Sequence, residues 1–128
     1  NVMRYGAAFV ALDAQDRIFL RTRPAKGLLG GMVEIPGSPW SADFPRDGAL
    51  QHEPFRARWI LCDGTVQHVF THFPLTLDVY AARMTRAPKA EGYWTPADSI
   101  HEAGLPTVFL KAARHGLAHI EAQKKKRR

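Results

Sequence analysis

Cysteine is nearly missing. Cys62 is the single one in 128 residues, so the chain forms no internal disulfide and holds no cysteine-framed metal site. A reducing, cytoplasmic setting is the expectation that follows. Long apolar runs are missing as well: nothing approaches the ~20 residues that span a bilayer, and no charged-then-apolar leader precedes the first strand-like stretch. No membrane partner is expected. Charge of one sign is scarce in the body of the chain. The formal charge is +6, but Lys124, Lys125, Lys126, Arg127 and Arg128 supply five of those charges, which leaves 13 basic side chains against 12 acidic ones elsewhere. The pI near 9.9 therefore describes a tail, and any case for nucleic-acid binding must come from particular loops.

What is present is ordinary globular material, 45% hydrophobic and 23% charged, long enough for one domain with a core of its own. Residues 1–123 are expected to form that domain, as a monomer, and residues 124–128 a disordered basic tail. Strand-like pattern begins directly behind Asn1 rather than a start methionine, as expected of a domain taken from a longer polypeptide.

Tyr5 to Leu12 is apolar almost without a break, Asp13-Ala14-Gln15-Asp16 turns the chain, and Ile18 to Leu20 is apolar again. This pattern predicts a hairpin whose first strand is covered on both faces. Lys26 to Gly31 places three glycines around Leu28 and Leu29, a stretch able to bend tightly. Met32 to Ile35 reads as a short strand. From Ser38 to Pro54 no period emerges, apart from a helical turn near Gly48 to His52. Phe55 to Cys62, Thr65 to Phe73 and Leu75 to Met84 read as strands, with a bend near His72 to Pro74, because proline interrupts a ladder. Tyr93-Trp94 reads as a last strand and Thr95-Pro96 as a capped helix start. Phe109, Ala112, Ala113, Gly116, Leu117 and Ile120 recur at helical spacing behind Pro106-Thr107, an amphipathic cover for a sheet.

Catalytic constellations are hard to find. His68 and His72 would be metal-ligand neighbours on a helix, but the β-branched surroundings argue for a strand, where they stand roughly 13 Å apart. Cys62 sits in an apolar run as inert packing. Ser38, Ser41 and Ser99 lack a triad-like context. No catalytic residue is expected.

The segment Gly30-Gly31-Met32-Val33-Glu34-Ile35-Pro36-Gly37, placed between a hairpin and a loop, resembles the opening of a Nudix domain. That family continues as G-x5-E-x7-R-E-U-x-E-E-x-G-U, with helical glutamates that hold magnesium against a diphosphate. Counted from Gly37, the pattern falls on Asp43, Gln51, His52, Glu53, Phe55 and Arg56; counted from Ser38, on Phe44, His52, Glu53, Pro54, Arg56 and Ala57. Neither register keeps the glutamate pair, and Pro54 would break the helix. The resemblance thus implies an α/β (α+β) Nudix-like fold, a mixed β-sheet flanked by helices, without the metal chemistry.

Gly27 to Gly37 followed by His68-Val69-Phe70-Thr71-His72-Phe73 is similar to the C-terminal domain of MutY-type adenine DNA glycosylases. The family usually has tryptophan where Val33 stands and Phe-Ser-His where Phe70-Thr71-His72 stands. The resemblance implies recognition of 8-oxoguanine opposite adenine in double-stranded DNA, with adenine excision left to a separate N-terminal domain of the same polypeptide that carries a 4Fe-4S cluster. It implies base excision repair in a cytoplasmic, nucleoid-associated setting, and no cofactor in this domain. By the same likeness Thr71 contacts the lesion, His72 probes a base edge or phosphate and Phe70 braces the loop. The Lys26 to Gly31 loop, with Gly30, Gly31 and the neighbouring Arg23, is expected either to approach the DNA backbone or to stand as a solvated loop. Two alternatives stand beside it: a divergent Nudix hydrolase of nucleoside diphosphate derivatives, and a protein-interaction module that keeps only the fold.

Overall fold

The structure is a computed structural model that describes residues 2–126. Among the described residues seven strands form one mixed sheet. They are β1 (Arg4–Leu12), β2 (Arg17–Thr22), β3 (Val33–Glu34), β4 (Ile60–Leu61), β5 (Val66–Val69), β6 (Pro74–Arg83) and β7 (Tyr93–Pro96), followed by one α-helix, α1 (Thr107–Lys126). The main order is β3-β2-β1-β6-β4, with β5 on β6 and β7 on β2. Among the described residues only β1 and β6 run parallel, in register from Arg4 opposite Leu75 to Leu12 opposite Arg83.

Alternation along β1 divides the interior in two. Ala8, Val10 and Leu12 face a core closed by Val108, Phe109, Ala112, Ala113 and Ile120 of α1. Ala7, Phe9 and Ala11 face a second core with Phe19, Phe44, Phe55 and Trp59. Each large side chain buried on either face contributes about 1.5–3 kcal/mol. The expected two-sided cover of the first strand, the hairpin and the closing helix are all present. Among the described residues no helix is long and apolar enough to cross a membrane.

Three boundaries differ from the sequence reading. The run from Phe55 to Cys62 is a strand only at Ile60–Leu61. Phe55 and Trp59 are buried plugs in an irregular segment, where the Trp59 indole donates to the Phe55 carbonyl at 3.2 Å and to Glu53 Oε1 at 3.1 Å. Thr95 does not cap a helix: it pairs with Ile18 as part of β7, and a 3-10 segment, Ala97–Glu102, follows with no side-chain cap. Residues 124–126, assigned to a disordered tail, are the last turn of α1. Lysine is a good helix former, and its charge suits a helix C-terminus. Arg127 and Arg128 lie outside the described residues. The helical turn expected near Gly48 is a 3-10 segment over Arg46–His52.

Candidate nucleic-acid interface

The β5–β6 hairpin carries the first cluster of candidate residues. Its ladder ends with Val69 opposite Pro74, and the Phe70 amide donates to the Phe73 carbonyl at 2.9 Å. Pro74 costs little there, because it is the first residue of its strand. Thr71 and His72 are left exposed at the tip.

Phe70 is the brace beneath them. Its ring centroid lies 4.7 Å from His68, 5.0 Å from Phe73 and 5.6 Å from Trp40. Phe73 is buried and covered by the Arg4 guanidinium, 4.0 Å from its centroid. Such aromatic contacts contribute about 0.5–1.5 kcal/mol each beyond the area they bury. The Thr71 hydroxyl and the His72 imidazole therefore sit on a fixed base.

The glycine-rich loop is tied to itself. The Arg23 amide donates to Met32 O at 2.9 Å, Gly31 N to Pro24 O at 3.0 Å and Gly30 N to Gly27 O at 3.1 Å. Gly30 is small because a Cβ would collide with the Ala25 carbonyl oxygen, and Gly31 is needed for a φ of +73°. The amides of Gly30 and Gly31, expected to approach a DNA backbone, are spent inside the loop. Lys26 stands exposed, and Leu28 and Met32 are each 42% exposed beside it.

Arg23 also differs from the expected backbone contact. Its Nη1 donates to Glu34 Oε1 at 2.8 Å and its Nε to Leu28 O at 3.1 Å. The same guanidinium lies 5.0 Å from the Trp40 ring and 5.5 Å from that of Phe109. Arg21 Nε donates to the other Glu34 oxygen at 2.7 Å. Arg23 is thus an internal organiser, and buried Glu34 is neutralised from two sides.

Trp40 is not legible in the sequence as a site residue. It packs between Arg23 and Phe70 and joins the two loops into one wall over α1, through Phe109 at 6.0 Å. The available signal is a lone tryptophan inside an otherwise aperiodic stretch.

The magnesium site that a Nudix hydrolase requires does not fit the side chains present. Among the described residues no three His, Cys, Asp or Glu side chains gather in a way that would hold a metal ion. Glu53 accepts from Trp59, and Asp78, buried on β6, is bridged by both Arg46 Nε (3.0 Å) and Nη2 (2.6 Å). Hard divalent cations need several free anionic oxygens, and both of these carboxylates are engaged. Burial, with the nearby Asp63, pushes the Cys62 thiol up to about 11, so it is a protonated packing group at neutral pH.

The scaffold thus holds Glu34 and Asp78 against arginines and leaves Thr71 and His72 exposed at a hairpin tip. The chain belongs to the Nudix domain family, which it matches over residues 7–115. It is 33% identical over 118 residues to human adenine DNA glycosylase, an alignment covering 81% of this chain and 21% of that protein. The chain therefore spans about a fifth of the length of that relative. The crystal structure of the C-terminal domain of mouse MUTYH, in complex with human PCNA, superposes with a TM-score of 0.70 at 25% identity, covering 92% of this chain and 90% of that one. A MutT protein from Methanosarcina mazei shares the fold at the same TM-score of 0.70 with 13% identity, covering 97% of each chain.

Proposed function

We propose that this domain is the C-terminal, lesion-reading part of an adenine DNA glycosylase, and that it recognises 8-oxoguanine opposite adenine while a separate N-terminal domain with a 4Fe-4S cluster excises the adenine. The observation that carries the reading is the exposed Thr71-His72 pair on an aromatically braced tip, in a chain similar to human adenine DNA glycosylase. Guanine presents an acceptor at N7. In 8-oxoguanine that atom carries a hydrogen, beside a new carbonyl oxygen. An acceptor held against N7 thus pairs with the lesion and meets normal guanine lone pair to lone pair. A threonine hydroxyl is such an acceptor and can also donate; the Thr71 carbonyl is a second one. His72 adds a contact to a base edge or phosphate, and Lys26 a charge for the backbone.

A discriminating hydrogen bond of this kind is worth on the order of 1–3 kcal/mol. That degree of preference suits a helper to a catalytic domain. The iron–sulfur cluster belongs to the proposed N-terminal domain, since such a cluster is held by several cysteine thiolates and this chain has Cys62 alone.

The deciding experiment compares affinities of the full-length polypeptide for duplexes containing 8-oxoguanine:adenine and guanine:adenine. Thr71→Val and His72→Ala are expected to erode the preference while the single-turnover excision rate holds. Unchanged discrimination in both variants overturns the reading. Magnesium-dependent hydrolysis of 8-oxo-dGTP by the chain would overturn it in favour of a hydrolase.

A further inference from the structure

A second recognition surface lies at the other end of β6. There an open groove of about 660 Å3 runs between the β4 edge and the C-terminal half of α1. Its floor is apolar, formed by Ala81, by Ile60, which is 45% exposed, and by Ile120. Its rim is cationic, with Arg58, Arg83 and Lys124 all exposed. No carboxylate among the described residues lines it. Among the described residues, none of these three cations forms an ion pair. His119 adds an independent sign: its Nε2 is buried in the groove wall and has no hydrogen-bond partner among the described residues. A buried polar atom without a partner costs about 1–3 kcal/mol.

The backbone is incomplete at the same place. On this side β6 pairs with β5 from Pro74 to Leu77 and with β4 at Tyr80 and Ala81. Beyond Ala81 no strand of the described residues pairs with Ala82 and Arg83 there, although β1 pairs with both from the other side. An unpaired strand end beside an apolar floor is a template for an added strand.

We propose that this groove docks an extended, acidic polypeptide segment. Its backbone continues the sheet along the open end of β6, its apolar side chains seat against Ile60 and Ile120, and its carboxylates meet Arg58, Arg83 and Lys124. Polypeptide is favoured over nucleic acid on two grounds. The floor is apolar, which suits side chains and not phosphates. The groove also lies at the far end of β6 from Thr71 and His72, about 30 Å away over nine strand rises, so a duplex held at the hairpin tip leaves this end free.

The test is a titration of the isotope-labelled chain, followed by amide NMR, with three probes at low salt: an eight-residue peptide alternating valine and glutamate, the same peptide with lysine for glutamate, and an undamaged DNA duplex. The acidic peptide is expected to shift Ile60, Ala81 to Thr85 and His119 to Lys124. The double variant Arg58→Glu, Lys124→Glu, both surface sites outside the hairpin tip, should weaken it about fivefold to tenfold, the effect of losing two exposed charge contacts. Absence of groove shifts with the acidic peptide overturns the proposal, as does equal binding of the lysine peptide. Groove shifts produced by the duplex and not by the peptide would assign the site to nucleic acid. Failure here leaves the discrimination assay at Thr71 untouched, so the two readings fall separately.

Discussion

Arg46 lays a two-pronged hydrogen bond on Asp78, Nε to one carboxylate oxygen at 3.0 Å and Nη2 to the other at 2.6 Å. Asp78 is buried in the middle of β6, and Arg46 opens the 3-10 segment Arg46–His52. A cation of the chain itself thus holds this carboxylate. The pairing also holds Arg46 in its charged form, chiefly through the hydrogen bond to Asp78 and then through its charge.

Removing the guanidinium strands the carboxylate. Arg46→Ala is expected to cost on the order of 1–3 kcal/mol in urea denaturation at neutral pH, less than a fully buried pair because the Arg46 side chain is 48% exposed. Asp78→Asn, which keeps one acceptor and removes the charge, should cost less than Arg46→Ala. Equal stability of Arg46→Ala and the native chain would show that water replaces the arginine without penalty.

Trp40 should act at a distance on the hairpin tip. Its ring touches Phe70 at 5.6 Å and lies 5.0 Å from the Arg23 guanidinium. Trp40→Leu is expected to cost about 1–3 kcal/mol of stability, below the range for a fully buried tryptophan. Under the proposed function it should also lower the preference of the full-length polypeptide for 8-oxoguanine:adenine duplexes while leaving any excision rate intact, with Trp40→Phe restoring most of it. Lost stability with full discrimination would make the ring a filler and nothing more.

Two neighbouring glycines should respond differently to the same change. At Gly30 an added Cβ strikes the Ala25 carbonyl oxygen, and the backbone has to move; at Gly31 the space is open and the cost is the left-handed φ of +73°. Gly31→Ala should cost about 1 kcal/mol. Gly30→Ala should cost more, about 1–3 kcal/mol, as overpacking does, with amide exchange in residues 24–31 accelerating. The reverse order of the two midpoints in thermal denaturation would place the loop's constraint in its dihedral angles and not in its packing.

Much of this fold is legible in the sequence. The unbroken run from Tyr5 to Leu12 announces a strand buried on both faces, and the spacing of Phe109, Ala112, Ala113 and Ile120 announces the helix that covers one of them. The bend before Pro74 locates the hairpin tip. Density of apolar residues misleads at Phe55 to Cys62, because plugs in an irregular segment and alternating strand residues look alike over a few positions. Trp40 against Phe70 and Arg46 against Asp78 are hidden for a different reason. Each joins residues some thirty positions apart, and no local period reports such a contact. The spent amides of Gly30 and Gly31 are equally invisible, since a glycine that serves its own loop and one that serves a ligand have the same letter.

Acid should loosen the base of the hairpin tip through His68. The Lys111 ammonium, which can only donate, lies 3.2 Å from His68 Nδ1 and donates to Gln67 O at 3.0 Å. His68 must be neutral at Nδ1 to accept, and its ring edge supports Phe70 at 4.7 Å. Burial first, and then the Lys111 charge, lower its proton affinity below the ordinary histidine value of 6.5. The unfolded chain therefore binds this proton at a higher pH than the folded one. Well above 6.5 neither state holds it and stability is unaffected; as pH falls through that value, the unfolded state gains the proton first and folding weakens. An imidazole titration by NMR should give a His68 midpoint below 6.5. His68→Gln, whose amide oxygen can still accept from Lys111, should match the native chain at neutral pH and lose less stability in acid than it does. A His68 midpoint at or above the ordinary value would mean that neither the burial of the ring nor the lysine contact holds in solution, and with them would go the support the ring gives Phe70.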